Sequence, residues 1–148
     1  MRNIWKEYEK CMIITKEIDY SLRILRTLSD YNKKTVSKIS EETCVPEAFT
    51  YKITKKLARQ EWIKIYRGIE GGCELITPLN QITLLEVIKI IGDNKSFTPC
   101  INTDYVCNWK ASNNGWCNIH NNLVIIQQNL ENELNRNTLD VIFFNKQV

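Results

Sequence analysis

Histidine occurs once in this chain of 148 residues, no apolar run approaches the roughly 20 residues of a membrane span, and no glycine-rich cofactor loop leads from a predicted strand into a helix. The single imidazole, His120, leaves no second histidine for acid–base catalysis. The missing glycine loop removes the fingerprint of a nucleotide cofactor site. An enzyme, a small-molecule substrate and a membrane location are therefore not expected. The opening residues, Met1 to Cys11, are mixed in charge and lack the continuous apolar region of a secretion signal. They read as an N-terminal extension (1–11), with Met12 an alternative start, and the expected compartment is the cytoplasm. In a reducing cytosol the six cysteines point to metal or redox roles rather than to a disulfide framework.

The net charge of +3 is mild, but its distribution is uneven. Between residues 52 and 67 stand six basic residues, Lys52, Lys55, Lys56, Arg59, Lys64 and Arg67, against one acid, Glu61. From Asp93 onward four basic residues meet five acidic ones. Any face that binds a polyanion should lie in the first two-thirds of the chain.

Periodicity places helices around that stripe. Ile18, Leu22, Ile24, Leu25 and Leu28 recur at helical spacing from Thr15 up to the polar turn Asp30 to Lys34. Ser37 is positioned to cap a second, short helix carrying Ile39 and ending near Cys44. Pro46 opens a third helix, with Phe49, Ile53 and Leu57 expected inward and the lysines turned elsewhere. Ile63 to Arg67 and Cys73 to Ile76 alternate as strands about a glycine turn, a hairpin directly after the basic helix. Two short helices, the second basic, followed by a hairpin describe a winged helix-turn-helix, which lays its second helix in the DNA major groove. The plain reading is an amphipathic helix pair with a solvated charged face and a surface hairpin. Thr83 and Glu86 form a capping box for a fourth helix carrying Val87, Ile88 and Ile91, with Gly92 at its end.

The segment from Cys100 to His120 is where metal chemistry is expected. Six residues separate Cys100 from Cys107, nine separate Cys107 from Cys117, and two separate Cys117 from His120. A helix beginning after Cys117 would project Cys117 and His120 from one face of its first turn, where the positive end of the helix favours an anionic centre. Three soft sulfurs and an imidazole suit an iron-sulfur cluster or zinc, and the ligand set alone does not separate the two. A thiol or disulfide switch, or ordinary packing cysteines, are the alternatives. Trp109, Trp116, Tyr105 and Val106 are interleaved with the sulfurs and would shield them.

After His120, Leu123, Ile126, Leu130 and Leu134 form a narrow stripe like a coiled-coil seam. A long helix with so little core of its own should bury that stripe against a second copy; packing on the first helix is the alternative. The expected fold is mainly α with a small β-hairpin wing: a winged helix-turn-helix over 12–92, a cysteine-rich loop over 93–117, and a dimerisation helix with tail over 118–148. The apolar patch from Val141 to Phe144 is expected to add a short strand or helix to the interface.

Several strings in this order resemble the bacterial winged-helix regulator family that includes the iron-sulfur cluster regulator IscR, the nitric-oxide-sensing repressor NsrR and the cysteine-metabolism repressor CymR. They are ITKEIDYSLRI from Ile14, the Val45-Pro46-Glu47 helix start, the wing from Arg67 to Gly72, and Ile82 to Ile88. The resemblance implies a homodimer on double-stranded DNA, with Ala48, Thr50, Tyr51 and Lys52 at base-facing positions and Arg67 as the wing arginine, helped by Lys55 and Gly68. It also implies an iron-sulfur cluster on Cys100, Cys107, Cys117 and His120, an arrangement that in this family goes with 2Fe-2S. Asp19 of the partner subunit is the alternative fourth ligand, which goes with 4Fe-4S. The nine-residue middle gap is longer than the family's usual one. A metal-free thiol-switch regulator, a zinc-containing one, and an iron-sulfur carrier or redox protein complete the alternatives. Cys44 and Cys73 are expected as packing residues.

Overall fold

The computed structural model describes residues 14–92, 96, 98–102 and 104–144, so the N-terminal extension lies outside the described residues. Helix α1 (Lys16–Thr27) starts where the Thr15 hydroxyl accepts the Ile18 N–H at 3.4 Å. Ile18, Ile24, Leu25 and Leu28 of the expected stripe are fully buried; Leu22 is half-buried at the core margin. Ser21 is buried too, and its hydroxyl donates to the Glu17 and Ile18 carbonyls at 3.0 and 2.8 Å, which satisfies it inside the helix.

Helix α2 (Val36–Thr43) is capped by Thr35, whose hydroxyl oxygen accepts the Lys38 N–H at 3.2 Å. Ser37, the expected cap, lies within the first turn. Thr35 has the extended backbone a cap requires and stands three residues before the N–H it receives. Cys44 ends α2 in the left-handed conformation, with φ of 55°.

Helix α3 (Glu47–Arg59) has Pro46 at its N-cap, one position earlier than expected, and buries Thr50, Ile53, Thr54 and Leu57. Phe49 corrects the sequence reading: it is 46% exposed and meets Tyr20 edge to face with centroids 5.9 Å apart. The inward position falls to Thr50, which tolerates burial because its hydroxyl reaches the Val45 and Pro46 carbonyls at 3.4 and 3.3 Å.

Strands β1 (Ile63–Tyr66) and β2 (Gly72–Leu75) pair antiparallel, with Ile63 opposite Leu75 and Tyr66 opposite Gly72. A one-residue bridge from Lys34 to Cys73 adds a single rung on the other edge of β2 and ties the hairpin to the turn between α1 and α2. A 3-10 turn (Leu79–Gln81) leads to α4 (Leu84–Ile91), where the Thr83–Glu86 capping box is complete. Gly92 is required by contact rather than by its backbone angles: a Cβ there would stand 2.7 Å from the Ile88 carbonyl and 2.8 Å from a methyl of Ile18.

Beyond it come a 3-10 turn (Pro99–Ile101), a short helix α5 (Asn108–Ser112), the long helix α6 (Asn118–Arg136) and α7 (Leu139–Phe144). Helix α6 lies against α4, joined by Lys89 to Glu131 at 3.1 Å, and has no buried residue of its own. The chain then returns: the Leu84 N–H donates to the Asn137 carbonyl at 2.9 Å, the Leu139 N–H to the Ile82 carbonyl at 2.8 Å, and Leu139 is fully buried. At least this start of the tail belongs to the winged-helix core. No helix among the described residues is long and apolar enough to cross a membrane.

Candidate nucleic-acid interface and metal centre

Helix α3 and the hairpin form a cleft of about 840 Å³ lined by Tyr51, Lys55 and Arg59 from the helix and by Arg67, Gly68 and Ile69 from the wing. The helical period puts Tyr51, Lys55 and Arg59 on one side, four residues apart each time. Tyr51 is 54% exposed, and the Lys55 ammonium sits 4.2 Å from its ring centroid, a cation–π contact that restrains an otherwise mobile lysine. The wing turn depends on glycine. Gly68 has φ of 99°, and a Cβ on Gly71 would come within 2.9 Å of the Gly68 and Tyr66 carbonyls. Ile69, at the turn, projects fully into solvent.

Of the residues read as DNA-facing, Tyr51, Lys55, Arg67 and Gly68 are thus gathered at one cleft. Ala48 is exposed on the first turn of α3. Thr50 is a correction: it is completely buried, so it cannot meet a base. Arg59, part of the basic stripe but not among the expected contact residues, lines the same cleft, and its place four residues after Lys55 is the signal that puts it there.

Lys52 is exposed, yet its ammonium lies 3.2 Å from Glu17 Oε1 of α1, an oxygen that also holds Lys56 at 3.1 Å. Burial pushes the Glu17 carboxyl up, but the facing ammonium groups of Lys56 and Lys52 outweigh it and hold the group below the ordinary glutamate range. On the wing, the Tyr66 hydroxyl donates to Glu74 at 2.7 Å, which pushes the phenol above its ordinary value.

In the loop, Cys107 is the N-cap of α5 and its sulfur accepts the Lys110 N–H at 3.5 Å. Cys117 is the N-cap of α6 and its sulfur accepts the His120 N–H at 3.4 Å. The Thr98 hydroxyl donates to the Cys100 sulfur at 3.6 Å. All three cysteines are free and partly exposed. In kind, three hydrogen-bonded sulfurs beside an imidazole fit an iron-sulfur cluster. In position they do not: among the described residues, no three His, Cys, Asp or Glu side chains stand together closely enough to hold a metal ion. The expected apolar shield is open as well, with Trp109 and Trp116 about two-thirds exposed (67% and 65%). Asp19, the alternative ligand, pairs with Arg23 at 2.8 Å. Cys73 is buried as expected, and burial pushes its thiol up against a hydrogen bond with Thr54. Cys44 is exposed rather than packed; its role is the left-handed end of α2.

Two helices joined at a tight turn, the second lining a cationic cleft with a two-stranded wing, define a winged-helix protein. Residues 14–145 match the Rrf2 family, described as an iron-dependent transcriptional regulator, and the chain belongs to that family, one of regulators rather than enzymes. It is 31% identical over 91 residues to protein aau3 of Rhizobium meliloti, covering 60% of this chain and 59% of that protein. To the HTH-type transcriptional regulator NsrR of Shouchella clausii it is 27% identical over 96 residues, 63% of this chain and 64% of that one. The matched stretch therefore spans about three-fifths of these relatives' length. The oxidized form of Staphylococcus aureus CymR shares the fold, with a TM-score of 0.65 at 17% identity over 93% of this chain and 98% of that one.

Proposed function

We propose that this chain binds double-stranded DNA as a homodimer through α3 and the wing, and that chemistry at Cys100, Cys107 and Cys117 sets how tightly it binds. The observation that carries the DNA reading is the cleft, where Lys55, Arg59 and Arg67 converge with a bare-backbone glycine turn. Cations and exposed N–H groups on one concave face are what a phosphate backbone requires. The dimer reading is supported by α6, whose stripe of Leu123, Ile126, Leu130 and Leu134 has no buried member within the chain. A two-fold pair would present two copies of α3 to successive half-sites.

For the loop, an iron-sulfur cluster is the chemistry we favour, held by Cys100, Cys107 and Cys117 with His120, or with Asp19 of the partner subunit, as fourth ligand. By the resemblance drawn from the sequence, the histidine set goes with 2Fe-2S and the aspartate set with 4Fe-4S. Such a group, when bound, supplies a centre that oxidation, nitric oxide or iron shortage can alter. The separation of the donors in the single chain favours a second reading, a metal-free regulator whose loop thiols respond directly.

Oxygen-free purification followed by visible absorption and iron and sulfide counts separates the two. The cluster reading expects a coloured protein that loses colour, iron and sulfide in Cys117→Ala. A colourless, iron-free protein whose DNA affinity changes on thiol oxidation establishes the second reading, and a zinc-loaded one defeats both.

A further inference from the structure

The cations of α3 are not held alike. Lys55 lies over Tyr51 inside the cleft. Lys56, a quarter exposed, is fixed between Glu17 and the Ile91 carbonyl, the latter at 3.4 Å. Lys52 is different: its side chain is 57% exposed, on a position read as base-facing, yet it reaches back to the Glu17 carboxylate at 3.2 Å. Glu17 stands in the first turn of α1 with its side chain one-quarter exposed, so the carboxylate is fixed by the fold while the lysine belongs to the surface.

We propose that Glu17 is a specificity-determining residue for DNA binding: its carboxylate competes with phosphate for Lys52 and so holds down sequence-independent affinity. The inference rests on the DNA-binding reading above. On an arbitrary sequence, affinity comes almost wholly from cations neutralising phosphates and releasing counterions. A lysine already facing a carboxylate gains little by exchanging it for a phosphate, because one anion replaces another. On a matching sequence, contacts to base edges add to that term, and a Lys52 restrained by Glu17 has less freedom to lose on reaching its place. Removing the carboxylate should therefore strengthen binding to arbitrary DNA more than binding to a preferred site, and the ratio between them should fall.

The test uses Glu17→Gln in the full chain, which keeps the side chain's size and removes its charge. Binding is measured by anisotropy across a salt series, on a random-sequence duplex and on the duplex that the wild-type protein itself selects from a random library. The expected result is a gain of about two- to fivefold on the random duplex, a salt slope steeper by about one, and a smaller gain on the selected duplex. Glu133→Gln, the same charge change on α6, should not reproduce it, and Glu17→Gln should add nothing in a Lys52→Gln background. The proposal is overturned if affinity for random DNA is unchanged, if Glu133→Gln has the same effect, or if the gain persists without Lys52. Should Glu17→Gln fail to fold, single variants decide. Lys52→Gln should then lose less affinity for random DNA than Lys55→Gln, and equal losses refute the idea. A wild-type protein that binds no duplex removes the DNA reading and this inference together. Binding by the wild type with an unaltered Glu17→Gln removes the inference alone.

Discussion

Lys34 and Cys73 exchange two backbone hydrogen bonds, Lys34 N–H to Cys73 carbonyl at 2.9 Å and Cys73 N–H to Lys34 carbonyl at 2.7 Å. The same lysine's ammonium reaches the Thr27 carbonyl at 2.8 Å, Glu42 at 3.0 Å and Asp30 at 3.2 Å. One residue thus fastens the end of α1, helix α2 and the wing, so the wing is tied to the turn between α1 and α2 by backbone pairing as well as by charge.

That anchoring can be tested at Gly72, where a Cβ would stand 2.7 Å from the Lys34 carbonyl. Gly72→Ala must push the wing strand off its partner. The expected cost is about 1–3 kcal/mol, read as a lower urea midpoint and thermal midpoint, with weaker DNA binding alongside. Unchanged stability would show that the bridge carries no load.

Arg67 sits at the cleft's wing side, and its expected contact is with the sugar-phosphate backbone. Arg67→Ala should weaken binding to every sequence by a similar factor and flatten the salt slope by about one. A loss confined to some sequences would instead make it a reader of bases.

Glu17 ties stability to pH. Its carboxyl is held below the ordinary glutamate range in the folded state, so the unfolded chain binds the proton more tightly. The stabilisation is present above the unfolded pKa and is lost as pH falls through the folded one. Urea midpoints measured downward from neutrality should therefore drop less steeply for Glu17→Gln than for the wild type in the acid range. Parallel curves would mean that the contacts with Lys56 and Lys52 contribute nothing to folding.

For the long helix, Ile126→Asp places a charge in the middle of the proposed seam. Ile126 is already half exposed (51%), so the monomer's fold should be unaffected. Sedimentation velocity should show the variant as a monomer at concentrations where the wild type is a dimer; an unaltered sedimentation coefficient would place the interface elsewhere.

Much of this architecture is legible in the residues themselves. Thr15, the Thr83–Glu86 pair and the alternating strands carry local signals, and local signals are what a sequence exposes. Where the structure differs from expectation, two nearby residues compete on chemistry alone. Phe49 outranks Thr50 in hydrophobicity, but Thr50 faces the core and satisfies its own hydroxyl there. Ser37 and Thr35 are equally good caps, and the backbone at Thr35 decides. The contact of Glu17 with Lys52 and Lys56, and the return of Leu139 to the core, join residues distant in the chain, and no periodicity announces them. In the loop, the sulfurs are recognisable by spacing and so is the helix that starts after Cys117, whereas the use of Cys107 as a cap depends on α5, a helix too short to leave a stripe.

Whether the loop governs the grip on DNA is decided by one titration. Affinity for a selected duplex is measured on the oxygen-free protein as purified, and again after iron chelation under the same reductant. A loop that sets affinity gives a change of about tenfold or more, equivalent to ~1.4 kcal/mol, that is absent in Cys117→Ala. Equal affinity before and after, in a protein shown to have lost iron, would contradict it.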